Sequence, residues 1–406
     1  MKKPKVGHLS HSDFAGGAAI AANRIHLAQR ELGIDSRLFV NHASPNLLYT
    51  TSAEGIKSKI VTRSKSVLWD IYNKRLTTEM TEVLSLNIIK SAWPKFVNRN
   101  GLEAVNLHWI NREFMSVADV GRIDIPIFWT LHDLWPLQGI YHYERRNTKS
   151  ADKSARKTFL ELLDSSLLRK KKKHFKNISG VIAPSQWIAR LAEESEMFAN
   201  ATIRVIPNPI NAKNWAFIEM EVARDILNIN HGNVIGYSSL GSSKSLRKGF
   251  DLMQEALALL GKSSIDFQLI NWGASSKYEE STSGKKIRSY GIVGDEVTLR
   301  TLYAACNVLV VPSREDNLPQ VAVEAVLSGT PVVCFNVGGL SDIVKHKVNG
   351  YLAEPFDVSD LAKGIEWALN TFKDRNQSVS IRENAVRRYS SEIVASQYLD
   401  FYNDVI

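Results

Sequence analysis

Two carboxylates carry the strongest chemical signal in the sequence. Asp316 lies in a loop after the apolar run 308–311, and Glu324 follows eight positions later in a predicted helix of residues 319–327. Open α/β sheets bind ligands at the carboxyl ends of their strands, where carboxylates accept hydrogen bonds from the vicinal hydroxyls of ribose and sugars. The pattern therefore predicts a site for a hydroxyl-rich ligand. The alternative is a pair of surface carboxylates, one of which merely favours the helix N-terminus.

A loop that opens the second half of the chain suits a diphosphate. Residues 236–250 are rich in Gly and Ser, and they hold the three cations Lys244, Arg247 and Lys248 within five positions. Backbone amides and cationic side chains together can surround a phosphate group. A solvated basic loop is the alternative, and this segment alone leaves both interpretations open.

A pair of glycines near the start of the chain precedes a helical pattern. Gly16 and Gly17 lie between a predicted strand of residues 5–9 and a predicted helix of residues 18–32. Glycines let a backbone approach a ligand closely, and a helix N-terminus offers N–H groups to an anion. Alone the pair is a weak signal, because a tight turn needs the same residues. The fingerprint Gly-x-Gly-x-x-Gly is absent, which argues against a nicotinamide enzyme.

Two histidines stand at the ends of predicted buried strands. His132 follows the apolar residues 125–131, and His108 ends the run 104–108. Side chains at the carboxyl end of a strand can reach a cleft, so His132 is predicted to be a cleft residue. A hydrogen-bonded structural histidine is the alternative, and for His108 the two interpretations are equally supported.

Short apolar runs alternate with helical patterns along the chain, and these elements must position the side chains above. Such alternation predicts parallel sheets flanked by helices, hence an α/β fold. The other predicted strands are residues 38–40, 181–183 and 203–206 in the first half, and residues 234–235, 267–270 and 331–335 in the second.

The length of 406 residues argues for two domains rather than one. The break is placed at residues 207–209, where two prolines block both a helix and a central strand. We predict an acceptor-side domain of residues 1–208 and a nucleotide-binding domain of residues 209–389. A C-terminal helix of about residues 390–406 is expected to pack back on the first. Two such sheets would face each other across a cleft, and two unrelated α/β domains in tandem are the alternative.

The composition argues against several classes of protein. The 51 Lys and Arg against 42 Asp and Glu leave a formal charge of +9. The chain is therefore basic, but it lacks the strongly clustered positive charge that is typical of a nucleic-acid-binding protein. No apolar run approaches the roughly 18–20 residues that span a bilayer, and no apolar segment typical of a signal peptide follows the first lysines. Two cysteines cannot form a disulfide framework or a Cys-rich zinc site. The expectation is a cytoplasmic protein.

The stretch 311–333 resembles the donor-site signature of glycosyltransferase family four, retaining enzymes of the GT-B fold. The family pattern is a Glu, seven residues and a second Glu followed by Ala, with a Gly-x-Pro-Val-Val tail. Here Asp316 takes the first position, and Leu318 and Pro319 replace the usual Phe-Gly. The resemblance covers almost the whole chain and is greatest to bacterial exopolysaccharide and colanic-acid-type glycosyltransferases. It extends to residues 16–19, 130–136, 183–185, 205–208, 247–249, 338–342 and 349–350.

The resemblance implies roles for the matching residues of the second half. Glu324 would accept hydrogen bonds from the ribose, Asp316 would contact the donor sugar, and Lys248 would hold the diphosphate. Leu318 and Pro319 would lie in the same donor site. The family's second phosphate-binding arginine is missing, and either Arg247 or Lys244 would replace it.

In the first half, the resemblance assigns His132 to the donor sugar near the reacting centre. Gly16 and Gly17 would bring backbone amides to the phosphates or to the acceptor. The catalytic residues implied are thus His132, Asp316 and Glu324.

The activity implied is a retaining transfer of a sugar from a nucleotide-diphosphate sugar, a UDP- or GDP-sugar, to a glycan or lipid-linked glycan of a bacterial surface polysaccharide. No Asp-x-Asp triplet is present, so Lys248 and helix N-termini are expected to stabilise the leaving phosphate without a metal or another cofactor. The alternative is a non-catalytic protein with a degenerate nucleotide-sugar site that docks on membranes or glycans. An epimerase or a phosphorylase on the same fold fits the motifs less well.

Two basic segments suggest contact with a membrane. Residues 56–72 combine apolar positions with Lys57, Lys59, Arg63 and Lys65, as a basic amphipathic helix does, and residues 167–176 form a second cluster. A solvated helix is the alternative for each. Both lie in the half expected to take the acceptor, so peripheral docking on the inner membrane is the hypothesis.

Overall fold

The computed structural model describes residues 2–14, 16–42, 50–52, 64–65, 67–74, 83–144, 155–229, 232–238, 245–262, 265–273 and 287–406. The chain divides into two compact units, one formed by Met1–Pro209 with Val394–Ile406 and the other by Ile210–Ile393. Each unit has its own sheet, and all the strand pairs in both sheets are parallel. The predicted α/β class with parallel sheets is confirmed.

The first unit contains a seven-stranded sheet in the order β3-β2-β1-β4-β5-β6-β7. Its strands are β1 (Lys5–Ser12), β2 (Asp35–His42), β3 (Thr50–Ser52), β4 (Ala104–Leu107), β5 (Ile127–Thr130), β6 (Ile178–Ala183) and β7 (Thr202–Val205). The strand order reverses between β1 and β4, which makes that boundary the switch point of the sheet. Nearly every residue of β1, β4 and β5 is buried, because helices cover both faces.

The helices of the first unit begin at local signals in the sequence. They are α1 (Gly17–Glu31), α2 (Trp93–Val97), α3 (Val117–Val120), α4 (Ala155–His174) and α5 (Gln186–Glu193), and residues 67–74 are also helical. Ser116 and Asp119 form a capping box at the start of α3, and Ser185 caps α5 by accepting a hydrogen bond from the Ile188 amide. Small buried residues on α1 let it pack closely on the sheet.

The second unit contains a six-stranded sheet in the order β10-β9-β8-β11-β12-β13, with its switch point between β8 and β11. Its strands are β8 (Asn233–Ser238), β9 (Phe267–Trp272), β10 (Ile287–Ser289), β11 (Val308–Val311), β12 (Val332–Phe335) and β13 (Gly350–Ala353). Its helices are α6 (Met220–Leu227), α7 (Phe250–Leu260), α8 (Glu296–Ala305), α9 (Gln320–Leu327), α10 (Leu340–Ile343), α11 (Val358–Thr371) and α12 (Arg375–Tyr389).

The last helix, α13 (Ser391–Val405), contributes to the core of the first unit. Tyr402 packs edge to face on Phe128 of β5, with ring centroids 4.8 Å apart, and Phe401 contacts the same ring at 5.4 Å. Arg204 of β7 pairs with Asp404 at 2.8 Å. The C-terminal segment therefore supplies aromatic side chains that cover one face of the first sheet.

Three strands were not predicted from the sequence: β3, β10 and β13. All three lie at the edges of their sheets, where a strand pairs on one side only. Two of them are three-residue segments with the sequences Thr-Thr-Ser and Ile-Arg-Ser. An edge strand is less completely enclosed than a central one, so its sequence need not form the apolar run by which the central strands were identified.

The two basic segments differ from the surfaces that the sequence suggested. Lys65 is buried, and its ammonium donates to the carbonyl oxygens of Ile89 and Lys90. Lys171 is fully buried and donates to the carbonyl oxygens of Gln138 and Gly139, both at 2.7 Å. Neither charge can face a membrane, which corrects that part of the hypothesis. Lys57, Lys59 and Arg63 lie outside the described residues.

Within the part of the chain that the structure describes, no helix combines the length and the apolar character that a membrane crossing requires.

Candidate functional site

The candidate site of the second unit lies where its strand order reverses. β8 and β11 are neighbours there, and the segments that follow them carry Lys248 and Asp316. Lys248 Nζ donates to Asp316 Oδ2 at 2.6 Å, and Arg247 Nη1 lies 3.6 Å from the same oxygen. Ser313 Oγ also donates to it, at 3.3 Å. The structure therefore brings together one carboxylate and two cations that are distant in the sequence.

The two cations determine the ionisation of Asp316. Burial alone would raise the pKa of this carboxyl group, but Lys248 and Arg247 outweigh the effect of burial and hold the pKa below its ordinary value. Asp316 is therefore ionised at neutral pH, and the three side chains together carry a surplus of positive charge. That surplus suits an anionic ligand such as a phosphate group.

Two glycines let the loops of this site approach each other. Gly249 has a φ of +68°, and a Cβ on it would lie 1.9 Å from the carbonyl oxygen of Pro312. Gly338 has a φ of +55°, and a Cβ there would lie 2.1 Å from the carbonyl oxygen of Asp316. Only glycine fits at either position, so both residues fix the backbone that carries the ion pair.

Glu324 has a different partner. It lies on α9 and is buried, and its Oε2 accepts a hydrogen bond of 2.9 Å from the hydroxyl of Tyr303 on α8. The Tyr303 ring is itself fixed by an edge-to-face contact with Trp272 at the end of β9, with centroids 5.0 Å apart. The Asp316 and Glu324 carboxylates, both of which follow β11, are thus held by different partners.

The other residues that were predicted for the donor site contact the protein's own core or backbone. Leu318 is buried in the core of the unit, and Pro319 is the residue that precedes the first turn of α9. Arg247 Nη1 donates to the carbonyl oxygen of Glu315 at 3.1 Å, in addition to its proximity to Asp316. Lys244 lies outside the described residues.

A cavity of about 740 Å³ in the same unit has a different location. It is lined by Cys306 and Thr330, which precede β11 and β12, and by the ion-paired side chains of Glu219 and Arg375. These strands end on the side of Asp316, so the cavity is at the opposite, amino edge of the sheet. Ligands of open α/β sheets bind at the carboxyl edge, and the cavity is therefore not assigned to this site.

The candidate site of the first unit is a chain of three histidines. His8 of β1, His108 after β4 and His132 after β5 come from three strands that are adjacent at the switch point. His8 Nδ1 lies 2.9 Å from His108 Nε2, and His108 Nδ1 lies 3.0 Å from His132 Nε2. His8 Nε2 lies 2.9 Å from Oε1 of Gln29 on α1. The chain runs from the core to His132, which is partly exposed.

Burial keeps these rings neutral. It lowers the pKa of His8 and of His132 to about 4, although Asp133 partly opposes the effect at His132. Burial lowers the pKa of His108 well below its ordinary value, and the neighbouring histidines add to the effect. Burial also lowers the pKa of His26, which packs beside His8, to about 3. At neutral pH the cluster is therefore uncharged.

Asp133 fixes the segment that carries His132. Its Oδ2 lies 2.6 Å from His142 Nδ1 and accepts a hydrogen bond of 3.0 Å from Trp109 Nε1. Its Oδ1 accepts from the Trp135 amide at 3.0 Å. Burial would raise the pKa of this carboxyl, but these donors outweigh burial and hold the pKa below its ordinary value. His132 is thus presented by a rigid turn rather than by a loose loop.

Gly16 and Gly17 lie at the start of α1, beyond the end of β1. Gly16 has φ +95° and ψ 168°, a conformation restricted to glycine, and a Cβ at either position would meet nothing within 4 Å. The first turn of α1 carries no acidic side chain. Gly16 and Gly17 are exposed at this helix N-terminus, where the first amides have no carbonyl partner within the helix.

No group of three or more His, Cys, Asp or Glu side chains that could hold a metal ion occurs among the described residues.

Four residues of these sites were missed by the sequence analysis: Ser313, Tyr303, His8 and Gln29. Ser313 and Tyr303 hold the two carboxylates, and no spacing in the sequence indicates that they do. His8 carries a usable signal, because it interrupts a buried strand with a polar ring that needs a partner. Gln29 is likewise buried on α1. Their partnership required the packing of α1 on β1.

Two family models match consecutive parts of the chain. Residues 15–214 match Glycosyltransferase Family 4, and residues 234–371 match Glycosyl transferases group 1. Among curated proteins, the lipopolysaccharide 1,2-N-acetylglucosaminetransferase of Salmonella typhimurium is 28% identical over 55% of this chain and 61% of its own length. The chain spans less than two thirds of the length of the curated relatives it matches.

Solved structures share the fold over nearly the whole chain. Sucrose-phosphate synthase from Thermosynechococcus elongatus has a TM-score of 0.69 at 20% identity and covers 98% of both chains. HepE of Anabaena, solved in complex with UDP-glucose, has a TM-score of 0.64 at 16% identity, with coverage of 99% of this chain and 100% of that one. The similarity in fold confirms the predicted GT-B architecture.

The contact between Gly338 and Asp316 gives a first prediction. Gly338→Ala should lower the free energy of unfolding by more than about 2 kcal/mol, since the methyl group would overlap the Asp316 carbonyl and the positive φ would be strained. Gly294→Ala is the matched control, because a Cβ there meets nothing within 4 Å. Urea unfolding of both variants measures the difference. Equal stability would contradict the close packing of these two loops.

The neutral histidine cluster gives a second prediction. Above pH 6.5 these rings are neutral in both the folded and the unfolded chain, so they add no pH dependence. As the pH falls from about 6.5 to about 4, the unfolded chain binds protons that the buried rings do not, so the free energy of unfolding should fall. Each histidine contributes about 1.4 kcal/mol per pH unit within that window.

Urea unfolding at about pH 7 and about pH 5 measures this slope. His26→Phe removes one of the buried titrating rings. The free energy of unfolding should then change with pH less steeply, by about 1.4 kcal/mol per pH unit, which corresponds to one proton. A free energy of unfolding that is the same at both pH values would contradict the neutral cluster.

Proposed function

We propose that this chain, which carries a glycosyltransferase family 4 domain and a group 1 domain on the GT-B fold, is a glycosyltransferase that uses a nucleotide-sugar donor. The observation that carries the proposal is the convergence of Lys248 and Arg247 on Asp316 at the switch point of the second sheet. A positive surplus beside a carboxylate suits a ligand that combines a diphosphate with sugar hydroxyls.

In this proposal each residue of the second unit has one task. The Lys248 ammonium binds the diphosphate and stabilises the charge that develops on it as the bond to the sugar breaks. Asp316 accepts hydrogen bonds from the sugar, and Glu324 does so from the ribose. Diphosphate binding would draw Lys248 toward the phosphate oxygens and weaken its contact with Asp316. The carboxylate would then be available to the sugar.

The residues of the first unit act on the sugar and on the acceptor. His132 contacts a hydroxyl of the transferred sugar, and the exposed amides at Gly16 and Gly17 receive a phosphate or the acceptor. Transfer proceeds with retention of configuration, without a metal ion, and the lysine supplies the positive charge. The acceptor is a glycan or a lipid-linked glycan of a bacterial surface polysaccharide. The similarity to a lipopolysaccharide N-acetylglucosaminetransferase supports this acceptor class.

Turnover of nucleotide sugars tests the proposal. Lys248→Met keeps the stem of the side chain and removes its charge, so kcat should fall by about 10²–10³. Lys262→Met is the matched control, because Lys262 is an exposed lysine of the same unit that follows α7. Glu324→Gln and His132→Ala should abolish transfer while the fold persists. Release of nucleoside diphosphate from UDP-, GDP-, ADP- and dTDP-sugars is the measurement.

Wild-type protein that neither transfers nor hydrolyses any of these donors would contradict the proposal. It would favour the non-catalytic protein with a degenerate nucleotide-sugar site.

We also propose that the first unit docks on the cytoplasmic surface of the inner membrane. The observation that favours it is the apolar surface of the helix of residues 67–74, where Val67, Leu68 and Ile71 are each about half exposed. Basic residues in the same part of the sequence would add attraction to anionic lipid. Lys65 and Lys171 take no part, because both are buried.

Flotation with liposomes tests the docking. The wild-type chain should float with vesicles that contain anionic lipid more than with neutral ones, and Leu68→Ser with Ile71→Ser should reduce its recovery. Val222→Ser with Ile226→Ser removes two exposed apolar side chains from α6 of the other unit and serves as the control. Equal recovery with anionic and neutral vesicles would contradict the proposal.

A further inference from the structure

The histidine chain has a definite direction at its buried end. Gln29 Nε2 donates to the hydroxyl of Tyr402 at 3.1 Å, which directs the amide oxygen Oε1 toward His8 Nε2 at 2.9 Å. An amide oxygen can only accept a hydrogen bond. His8 Nε2 must therefore carry the hydrogen and donate it to Gln29.

The direction passes from ring to ring because each ring is neutral. A neutral imidazole has one N–H, so its other nitrogen can only accept. His8 Nδ1 therefore accepts from His108 Nε2, at 2.9 Å, and His108 Nδ1 in turn accepts from His132 Nε2, at 3.0 Å. The last ring of the chain is left with its hydrogen on Nε2 and a lone pair on Nδ1.

The packing around these rings restricts their rotation. His8 and His108 are buried, and successive rings lie edge to edge, with centroids 5.2 Å apart and planes inclined by 25°. The Tyr402 hydroxyl oxygen accepts from Gln29 Nε2, and the amide nitrogen of Asn106 lies 3.5 Å from it as a second donor. The chain is thus a fixed element of the first unit, and its single partly exposed member is His132.

We propose that Gln29, His8 and His108 are positioning residues that hold His132 as the Nε2–H tautomer, so that its Nδ1 offers a lone pair to a ligand hydroxyl. The inference rests on the proposed function only for the identity of that ligand, which is the sugar or the acceptor. A neutral ring with a lone pair at Nδ1 accepts from a hydroxyl, and it does not attract a phosphate oxygen. His132 would therefore recognise sugar hydroxyls rather than the diphosphate.

Nitrogen-15 NMR of the histidine-labelled wild-type chain at neutral pH tests the tautomer directly. The chemical shifts of the two ring nitrogens distinguish a nitrogen that carries hydrogen from one that carries a lone pair. Comparison with His132→Gln identifies the signals of His132. We expect hydrogen on Nε2 and a lone pair on Nδ1. Hydrogen on Nδ1 of His132 would mean that the hydrogen bonds between the histidines point in the reverse direction, and it would overturn the proposal.

Variants of Gln29 test whether its hydrogen bond to His8 sets the tautomer of His132. Gln29→Met has a similar volume but no acceptor for His8 Nε2, so His132 should become a mixture of tautomers. If one hydrogen bond to the ligand is lost, kcat/KM should fall about tenfold. Gln29→Glu retains an acceptor, and it should restore the Nε2–H signal of His132 and most of the activity.

His26→Phe is the matched control. His26 is as buried as His8, and their ring centroids lie 6.2 Å apart, but its Nδ1 contacts Ser36 Oγ at 2.8 Å rather than a ring of the chain. The variant should lower stability without changing the His132 tautomer. The proposal is overturned if Gln29→Met leaves the tautomer unchanged, or if His26→Phe changes it as much.

The tautomer measurement needs no turnover, so it separates the two proposals. Absence of turnover with every donor would contradict the proposed function, while the NMR signals would still decide the direction of the chain.

Discussion

A polar side chain buried at the carboxyl end of a parallel strand must find a partner, because an unpaired polar group away from water is costly. This constraint organises both units of the protein. In each sheet the strand order reverses at one boundary, and the polar side chains gather at the strand ends there. The partners that satisfy these groups also decide what remains available to a ligand.

The two units satisfy the same constraint with opposite electrostatics. In the first, His8, His108 and His132 avoid charge, because burial lowers the pKa of each ring and every ring can share a hydrogen with the next. In the second, Asp316 keeps its charge because Lys248 and Arg247 compensate it. A neutral chain suits hydroxyl recognition, whereas a compensated ion pair with surplus positive charge suits a phosphate.

Charge patterns in the sequence proved to be poor guides to surfaces. Lys171 lies in a run of four consecutive lysines, yet it is the member that turns inward to donate to carbonyl oxygens beside the Trp135 ring. Its aliphatic stem is buried with its amino group, which donates to the carbonyl oxygens of the turn that follows Trp135. The same turn is held by Asp133, so the segment that presents His132 depends on hydrogen bonds from two buried polar side chains.

The sequence alone determined the α/β class and the central strands, because strands buried on both faces must be apolar, and it also indicated Asp316, Glu324 and Lys248 by their places after such strands. It could not identify the edge strands β3, β10 and β13, because an edge strand pairs on one side only and tolerates polar residues. Nor could it show that Leu318 belongs to the core, or that Tyr303 and Gln29 contact Glu324 and His8. Those partnerships join residues of separate elements, and only the packing of helices on sheets sets the distances between them.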